Sequence, residues 1–381
     1  MYGAQLIEAM RRGAISSPLV AGLGPATRQA LELDFFGAGG EAMRAAGCEI
    51  TVDAKDLAVV GITEILGHLP KIFGLYRKLI RAADEKRPAL AVLIDSPAFN
   101  WRVARQMRRR GIPVVYYVCP QFWAWRQGRV KLLRKYVDKA LVIFPFEEKF
   151  YRDRGVDATS VGHPLAGVPA PEVTRDAYGG QNHIDSSKPW ITLMPGSRQK
   201  EVGMNLPTVL EAADRMGSAY EFLLPVARTL DLAFFRELIG LSRTNTANIH
   251  LVSGALPALF HSRAAIIASG TATVEAAIMD TPFAMVYRVS SLTYALGKPR
   301  VKVPYFAMVN LIAGEQVVPE LVQHTFTAQN IVTEMNKIIP DGDPRTRMVQ
   351  RLAAVKARLT LGRGEAHPSD RAAEIILKMI G

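Results

Sequence analysis

Residues 190–202 read Trp-Ile-Thr-Leu-Met-Pro-Gly-Ser-Arg-Gln-Lys-Glu-Val. The first five residues form a short apolar run, which predicts a buried strand over 190–194. Pro195 and Gly196 then break it, and from Val202 to Arg215 apolar residues recur with a helical period. In a strand–turn–helix of this kind, Gly196 permits a tight bend, Ser197 donates or caps, and Arg198 offers a planar guanidinium fork suited to phosphate. A plain strand-to-helix junction accounts for the same residues, so the stretch identifies the fold before it identifies a ligand.

Working outward, the same alternation repeats on both sides. Apolar runs at 89–94, 113–118 and 140–144 precede it, and runs at 221–224, 249–252, 264–268 and 283–287 follow. Helical patterns at 101–110, 202–215 and 272–279 lie between them. This order predicts an α/β protein with parallel, doubly wound sheets. Residues 167–188 are rich in Pro, Gly, Asp and Ser and lack a strong apolar period, which predicts a linker between two domains, 1–165 and 188–365. Residues 366–381 read as a helix packing back on the body. Doubly wound sheets bind ligands at the carboxyl ends of their strands.

Three further strand ends carry chemistry. Ala268-Ser-Gly-Thr-Ala-Thr-Val-Glu275 places Ser269, Gly270 and Thr271 at a helix start, where free N–H groups favour an anion. Glu275, about one turn in, can accept from sugar hydroxyls or serve its own helix as a cap. Ile94-Asp-Ser-Pro-Ala-Phe-Asn100 ends a strand with Asp95, either a general base at the sheet edge or a structural cap. Cys119-Pro-Gln-Phe-Trp-Ala-Trp-Arg126 lines an acceptor pocket or is simply a packed loop.

The 381 residues carry a formal charge of +12, which calls for an anionic partner: nucleic acid, an acidic membrane or a phosphorylated substrate. Residues 101–139 hold eleven Lys or Arg against one acid, Asp138, a local excess of ten that is most of that surplus. A solvated helix face explains it equally well. Between Leu57 and Ile80 apolar residues recur at helical spacing around Pro70; such a stripe is either core or an interfacial membrane contact. No apolar run approaches the ~20 residues that span a bilayer, and two distant cysteines, Cys48 and Cys119, fit a reducing compartment. A cytoplasmic protein that touches the membrane is therefore expected. There is no P-loop, no Cys/His metal cluster and no nucleophile elbow. His163 sits near a strand end, and Asp341-Gly-Asp343 lies in a Pro-flanked loop and reads as a turn rather than a metal ligand pair.

Taken together these segments resemble the lipid A disaccharide synthase family of GT-B glycosyltransferases. The matching stretches run in order along nearly the whole chain: FFGAGGEAMRAAGCE (35–49), LAVVGITEILG (57–67), IDSPAFN (94–100), CPQFWAWRQGRVK (119–131), FPFEEKFYRDRGV (144–156), VGHPL (161–165), LMPGSRQKEV (193–202), ASGTATVEAA (268–277), YRVSSLTYAL (287–296) and VKVPYFAMVNLIAGEQVVPELVQ (301–323). The resemblance implies a GT-B fold, with two Rossmann-like domains facing across a cleft. It implies transfer from UDP-diacylglucosamine to diacylglucosamine 1-phosphate (lipid X), with inversion and without a metal or other cofactor. Asp95 matches the family's base. Gly196, Ser197, Arg198, Ser269, Gly270 and Thr271 fall on the diphosphate, Glu275 on the ribose, and Asn310 near the donor sugar. Val59, Val60, Ile62, Ile65, Leu66 and Leu69 match a docking surface for the cytoplasmic face of the inner membrane. A homodimer is left open, and nucleic acid is not an expected partner.

The chain departs from the family pattern in places. Ala98 stands where the family has Asp, and Cys119-Pro-Gln-Phe-Trp123 replaces Ser-Pro-Ser-Val-Trp. The family opens with a strand and a glycine-rich turn, whereas Met1-Tyr-Gly-Ala-Gln-Leu-Ile7 corresponds to the helix after them, with an extra segment at 14–33 whose apolar run is Pro18–Gly22. A true start codon further upstream is the expectation. A missing central strand would leave backbone groups unpaired, at about 1–3 kcal/mol for each one buried. Two other readings stand beside the enzyme: an inactive paralogue that binds nucleotide or membrane, and a GT-B transferase with another lipid-linked acceptor.

Overall fold

The structure is a computed structural model that describes residues 2–16, 33–57, 65–227, 230–242, 244–360 and 367–380. The chain divides into two compact units, Met1–Gly167 with Arg363–Gly381, and Val168–Gly362.

In the first unit, α1 (Tyr2–Ser16) precedes β1 (Phe35–Gly39), α2 (Glu41–Ala45), β2 (Cys48–Asp53), α3 (Ala54–Leu57) and α4 (Ile65–Lys86). Then follow β3 (Ala91–Ile94), α5 (Pro97–Arg109), β4 (Val114–Tyr117), α6 (Val130–Tyr136), β5 (Lys139–Val142), α7 (Pro145–Arg152) and β6 (Ala158–Ser160). Strand β4, Val-Val-Tyr-Tyr, is buried along its whole length, as a parallel strand covered on both faces must be. Helix α5 starts at Pro97, where the missing N–H costs nothing, and buries Val103, Ala104 and Met107 on one face.

The second unit holds α8 (Arg175–Asn182), β7 (Trp190–Met194), α9 (Gln199–Met216), β8 (Glu221–Pro225), α10 (Leu232–Gly240), β9 (Ile249–Val252), α11 (Ala255–His261) and β10 (Ala264–Ala268). It continues with α12 (Ala272–Ile278), β11 (Phe283–Tyr287), α13 (Ser291–Gly297), α14 (Met308–Ala313), β12 (Glu320–Val322), α15 (Ala328–Ile338) and α16 (Asp343–Leu359). The stretch read as a linker carries α8 and contributes Tyr178 and Ile184 to a core with Trp190, Leu223 and Val252. Two aromatic or branched side chains suffice for that, too few to register as a period. The last helix, α17 (Pro368–Ile380), belongs to the first unit and packs on α1, with Arg12 paired to Asp370 at 2.7 Å.

The two units differ in their sheets. In the second, six parallel strands lie in the order β12-β11-β10-β7-β8-β9, so the first strand of the unit sits in the middle. In the first unit the strands form two separate sheets, β1-β2 and β3-β4-β5-β6. Laid on the order of the second unit, β2 and β1 take the places of β9 and β8, and β3, β4 and β5 those of β10, β11 and β12. The place of β7 holds no strand among the described residues. Strand β1 is partly exposed at four of five positions and β3 at three of four, whereas β10 is buried throughout. The segment 17–32, Pro18–Gly22 included, lies outside the described residues, as do Val59, Val60 and Ile62.

Candidate donor and acceptor sites

In the second unit the decisive turn is built as its residues require. Gly196 has φ +137°, and a Cβ there would lie 2.7 Å from that of Glu201, so both backbone and space demand glycine. Arg198, the N-cap of α9, is extended at φ −120° and 80% exposed along its side chain. Glu201, one turn into the helix, accepts from the Ser197 N–H at 3.2 Å and from Arg198 at 2.7 Å. An internal carboxylate thus occupies the donors that the sequence reserves for an anion, and only the three-residue spacing from Arg198 hinted at it. Asn205 ties the turn down by donating to the Pro195 carbonyl at 2.8 Å.

Strands β7 and β10 are parallel neighbours in register Met194↔Ile267, so the turn after β10 emerges beside the first. Here Ser269 extends the ladder through its N–H to Val286, while its hydroxyl donates to the Phe306 carbonyl at 2.8 Å. Gly270 has φ +148°, and Thr271 is exposed at the start of α12. Glu275 is largely buried, its carboxylate makes no hydrogen bond among the described residues, and desolvation pushes it above the usual carboxylate range. It does not serve as a cap, which leaves it free to receive donors from a ligand. Tyr287 ends the adjacent strand β11 and stacks on Phe306 at 5.6 Å; burial raises its pKa, with smaller effects from the charges of Glu201 and Arg198. Strand-end geometry therefore gathers Gly196, Ser197, Arg198, Ser269, Gly270, Thr271 and Glu275 along one sheet edge.

Asn310 is placed differently. It is fully buried, its amide nitrogen donating to Val318 and Glu320 and its oxygen accepting from the N–H groups of Val317 and Val318. With that amide fully used, it meets a ligand only through what it holds. Glu320 in turn accepts from the N–H groups of Phe306 and Ala307, and Phe306 is the partner of Ser269. The network makes Asn310 an anchor for the segment lying over the second turn.

In the first unit Asp95 and Ser96 both have left-handed backbones, φ 47° and 46°. Each costs roughly 1–2 kcal/mol in a residue that is not glycine. Asn100 holds the bend by donating to the carbonyls of Ile94 and Asp95, and Tyr116 donates to the latter at 2.6 Å. Asp95 is exposed, and its carboxylate has no hydrogen-bond partner among the described residues. Val118, at the end of the neighbouring strand β4, is left-handed too, at φ 58°. A β-branched residue in that region is a true outlier, and strain of this kind gathers at functional sites.

The loop after β4 splits its two tryptophans. Trp123 is buried and donates to Glu147 at 2.8 Å; Trp125 is 44% exposed with the Arg126 guanidinium 3.9 Å above its ring. Glu147 also accepts from the N–H groups of Ile143 and Phe144, and Tyr151 donates to the Pro120 carbonyl, so α7 braces the loop from beneath. Complete burial raises the Glu147 pKa to about 7, against its hydrogen bonds, and burial lowers His163 to about 4. Neither Glu147 nor Tyr151 was singled out from sequence, since a Glu at the third position of a helix reads as an ordinary cap.

The remaining expectations sort simply. Of the membrane stripe, Ile65, Leu66 and Leu69 begin α4, and further along it Phe73 is 53% exposed and stacked with Tyr76. No helix is long and apolar enough to cross a membrane among the described residues. Asp341 pairs with Arg263, Gly342 has φ 152°, and no cluster of metal-binding side chains occurs among the described residues.

A family model described as lipid-A-disaccharide synthetase matches residues 13–375. The chain is 48% identical over 379 residues to the lipid-A-disaccharide synthase of Koribacter versatilis (strain Ellin345), covering 100% of this chain and 95% of that protein. It is 47% identical over 372 residues to the lipid-A-disaccharide synthase of Acidobacterium capsulatum, covering 94% and 88%. Among solved structures it is similar to the kitacinnamycin glycotransferase, with a TM-score of 0.63 at 14% identity over 100% of this chain and 97% of that one. That likeness concerns the fold, which is of the GT-B type.

Proposed function

The chain belongs to the lipid-A-disaccharide synthetase family, the glycosyltransferases of lipid A biosynthesis, and on that footing we propose a substrate pair and a division of labour among its residues. The donor is UDP-2,3-diacylglucosamine and the acceptor is 2,3-diacylglucosamine 1-phosphate. The acceptor 6-hydroxyl attacks the anomeric carbon, UDP departs, and a single displacement inverts the centre. Asp95 takes the hydroxyl proton. Arg198, once the diphosphate displaces Glu201 from it, and the N–H groups of Gly270 and Thr271 meet the charge that builds on the diphosphate. Of the two helices, the 18-residue α9 offers the fuller dipole, and the seven-residue α12 adds a shorter one. Glu275 receives the ribose hydroxyls, and Asn310 acts by holding Phe306 against Ser269.

The observation that carries the reading is the pairing of β7 with β10, which sets two glycine turns and an exposed arginine side by side. Docking of segment 59–69 on the cytoplasmic face of the inner membrane belongs to the same proposal, and the exposed Phe73 on α4 supports it. The test is turnover of the purified chain on both substrates with EDTA present. Disaccharide and UDP are expected in equal amounts; loss of activity on chelation removes the metal-free step. A second reading, a nucleotide- or membrane-binding protein without turnover, draws on the divided sheet of the first unit. UDP binding without product would decide for it.

A further inference from the structure

The two glycine turns of the second unit differ in what stands over them. At the second, the Glu275 carboxylate makes no hydrogen bond among the described residues. At the first, Glu201 divides its two oxygens: Oε2 accepts from the Ser197 N–H at 3.2 Å, and Oε1 from the Arg198 guanidinium at 2.7 Å. Glycine makes the room, because a Cβ on residue 196 would lie 2.7 Å from the Glu201 Cβ and 3.1 Å from Oε2. The pair stands near the end of β11, where burial first and then the Glu201 charge raise the Tyr287 pKa while Arg198 lowers it. Asn205 fixes the turn separately, through the Pro195 carbonyl. The Arg198 side chain is 80% exposed and that of Glu201 35%, so the guanidinium can leave the carboxylate without disturbing the core.

A glutamate three residues after an N-cap is an ordinary helix cap, and the Ser197 contact alone asks for nothing more. The Arg198 contact does. At rest the guanidinium is held by a carboxylate, so this side chain and an incoming diphosphate compete for one cation. On the footing of the diphosphate site proposed above, we infer that Glu201 is a release latch: Arg198 alternates between Glu201 and the diphosphate, and its return to Glu201 speeds the departure of UDP. Without such a competitor, the contacts that meet the growing charge would also retain the product. An exposed ion pair is weak, which suits a latch that the ligand must open. Removing the competing charge should tighten UDP by about twofold to tenfold. Glu201 is a positioning residue and acts through Arg198.

Glu201→Gln keeps an oxygen for the Ser197 N–H and removes the charge from beside Arg198. Calorimetric titration of the full chain should show this variant binding UDP about twofold to tenfold more tightly than the parent, with uridine bound alike and the thermal midpoint unchanged. UDP dissociation, followed by displacement in stopped flow, should slow by the same factor. In an Arg198→Ala background most of the gain should vanish. UDP affinity equal to the parent's marks a cap and nothing else, and weaker binding marks a carboxylate that aims Arg198 at the ligand; either overturns the latch. So does an equal gain with and without Arg198, which marks simple repulsion between Glu201 and the diphosphate. An equal gain for uridine, or a gain confined to the association rate, overturns it as well. The underlying site fails differently. A parent that binds UDP no more tightly than uridine, or an Arg198→Ala variant that binds UDP like the parent, has no diphosphate contact at Arg198, and the latch falls with it.

Discussion

Asp95, Arg198 and Asn310 are each exposed to a different failure, and single substitutions separate them. Asp95→Ala should lower turnover by roughly 10²–10⁴-fold, the usual worth of a positioned general base, with UDP affinity unchanged. Arg198→Ala should instead weaken UDP binding, by about tenfold or more for one charge-assisted contact. Kinetics paired with UDP titration checks both; an equal loss of UDP affinity in the two variants rejects the division of roles. Asn310→Ala strips partners from Glu320 and from the N–H groups of Val317 and Val318, so it should cost about 3 kcal/mol or more of stability in denaturant unfolding. An Asn310 that touched ligand directly would leave stability intact. The exposed position of Asp95 was readable in sequence, because a carboxylate that ends an apolar strand stays at the sheet edge. The used-up amide of Asn310 was not, because its partners lie seven to ten residues along the chain and meet only in the fold.

Helix α7 is the element on which the loop after β4 rests, and two buried titratable groups meet at its start. Glu147 accepts from the N–H of Phe144, and His163 packs 5.3 Å from the Phe144 ring. Their signs oppose. Glu147 has a folded pKa near 7, raised above its ordinary 4.5, so its contribution is complete below 4.5 and is lost as pH rises toward 7. His163 has a folded pKa near 4, lowered from 6.5, so its contribution is complete above 6.5 and is lost as pH falls toward 4. Each slope is at most about 1.4 kcal/mol per pH unit, and between 4.5 and 6.5 the two cancel. Denaturant midpoints should therefore be flat there in the parent, rise with pH in Glu147→Gln, and fall with pH in His163→Gln. A sloping parent with unaltered variants rejects the pairing. At this scale, strands 190–194, 264–268 and 283–287 were legible because each is a largely apolar run buried along nearly its whole length. Strands β1, β2, β6 and β12 were not: β1 carries two glycines, the others are short or alternate with polar residues, and their partners define them.

At the scale of the whole molecule, the doubly wound α/β class followed from alternation alone, and the family from ten ordered stretches. The split of the first unit's sheet was foreseen only as a gap in a pattern. Its cost is an interaction the chain invites. In the β3–β4 ladder the N–H groups of Ala91 and Asp95 point to β4, so by alternation those of Val92 and Ile94 point away from it, along a margin that no strand covers among the described residues. Such a margin is a template for foreign backbone. Samples of this chain should self-associate as concentration rises, and sedimentation should show Val92→Pro reducing that tendency, because proline deletes an outward donor and spares the ladder. Solubility, on this view, is governed by one row of amides rather than by the molecule's abundant positive charge.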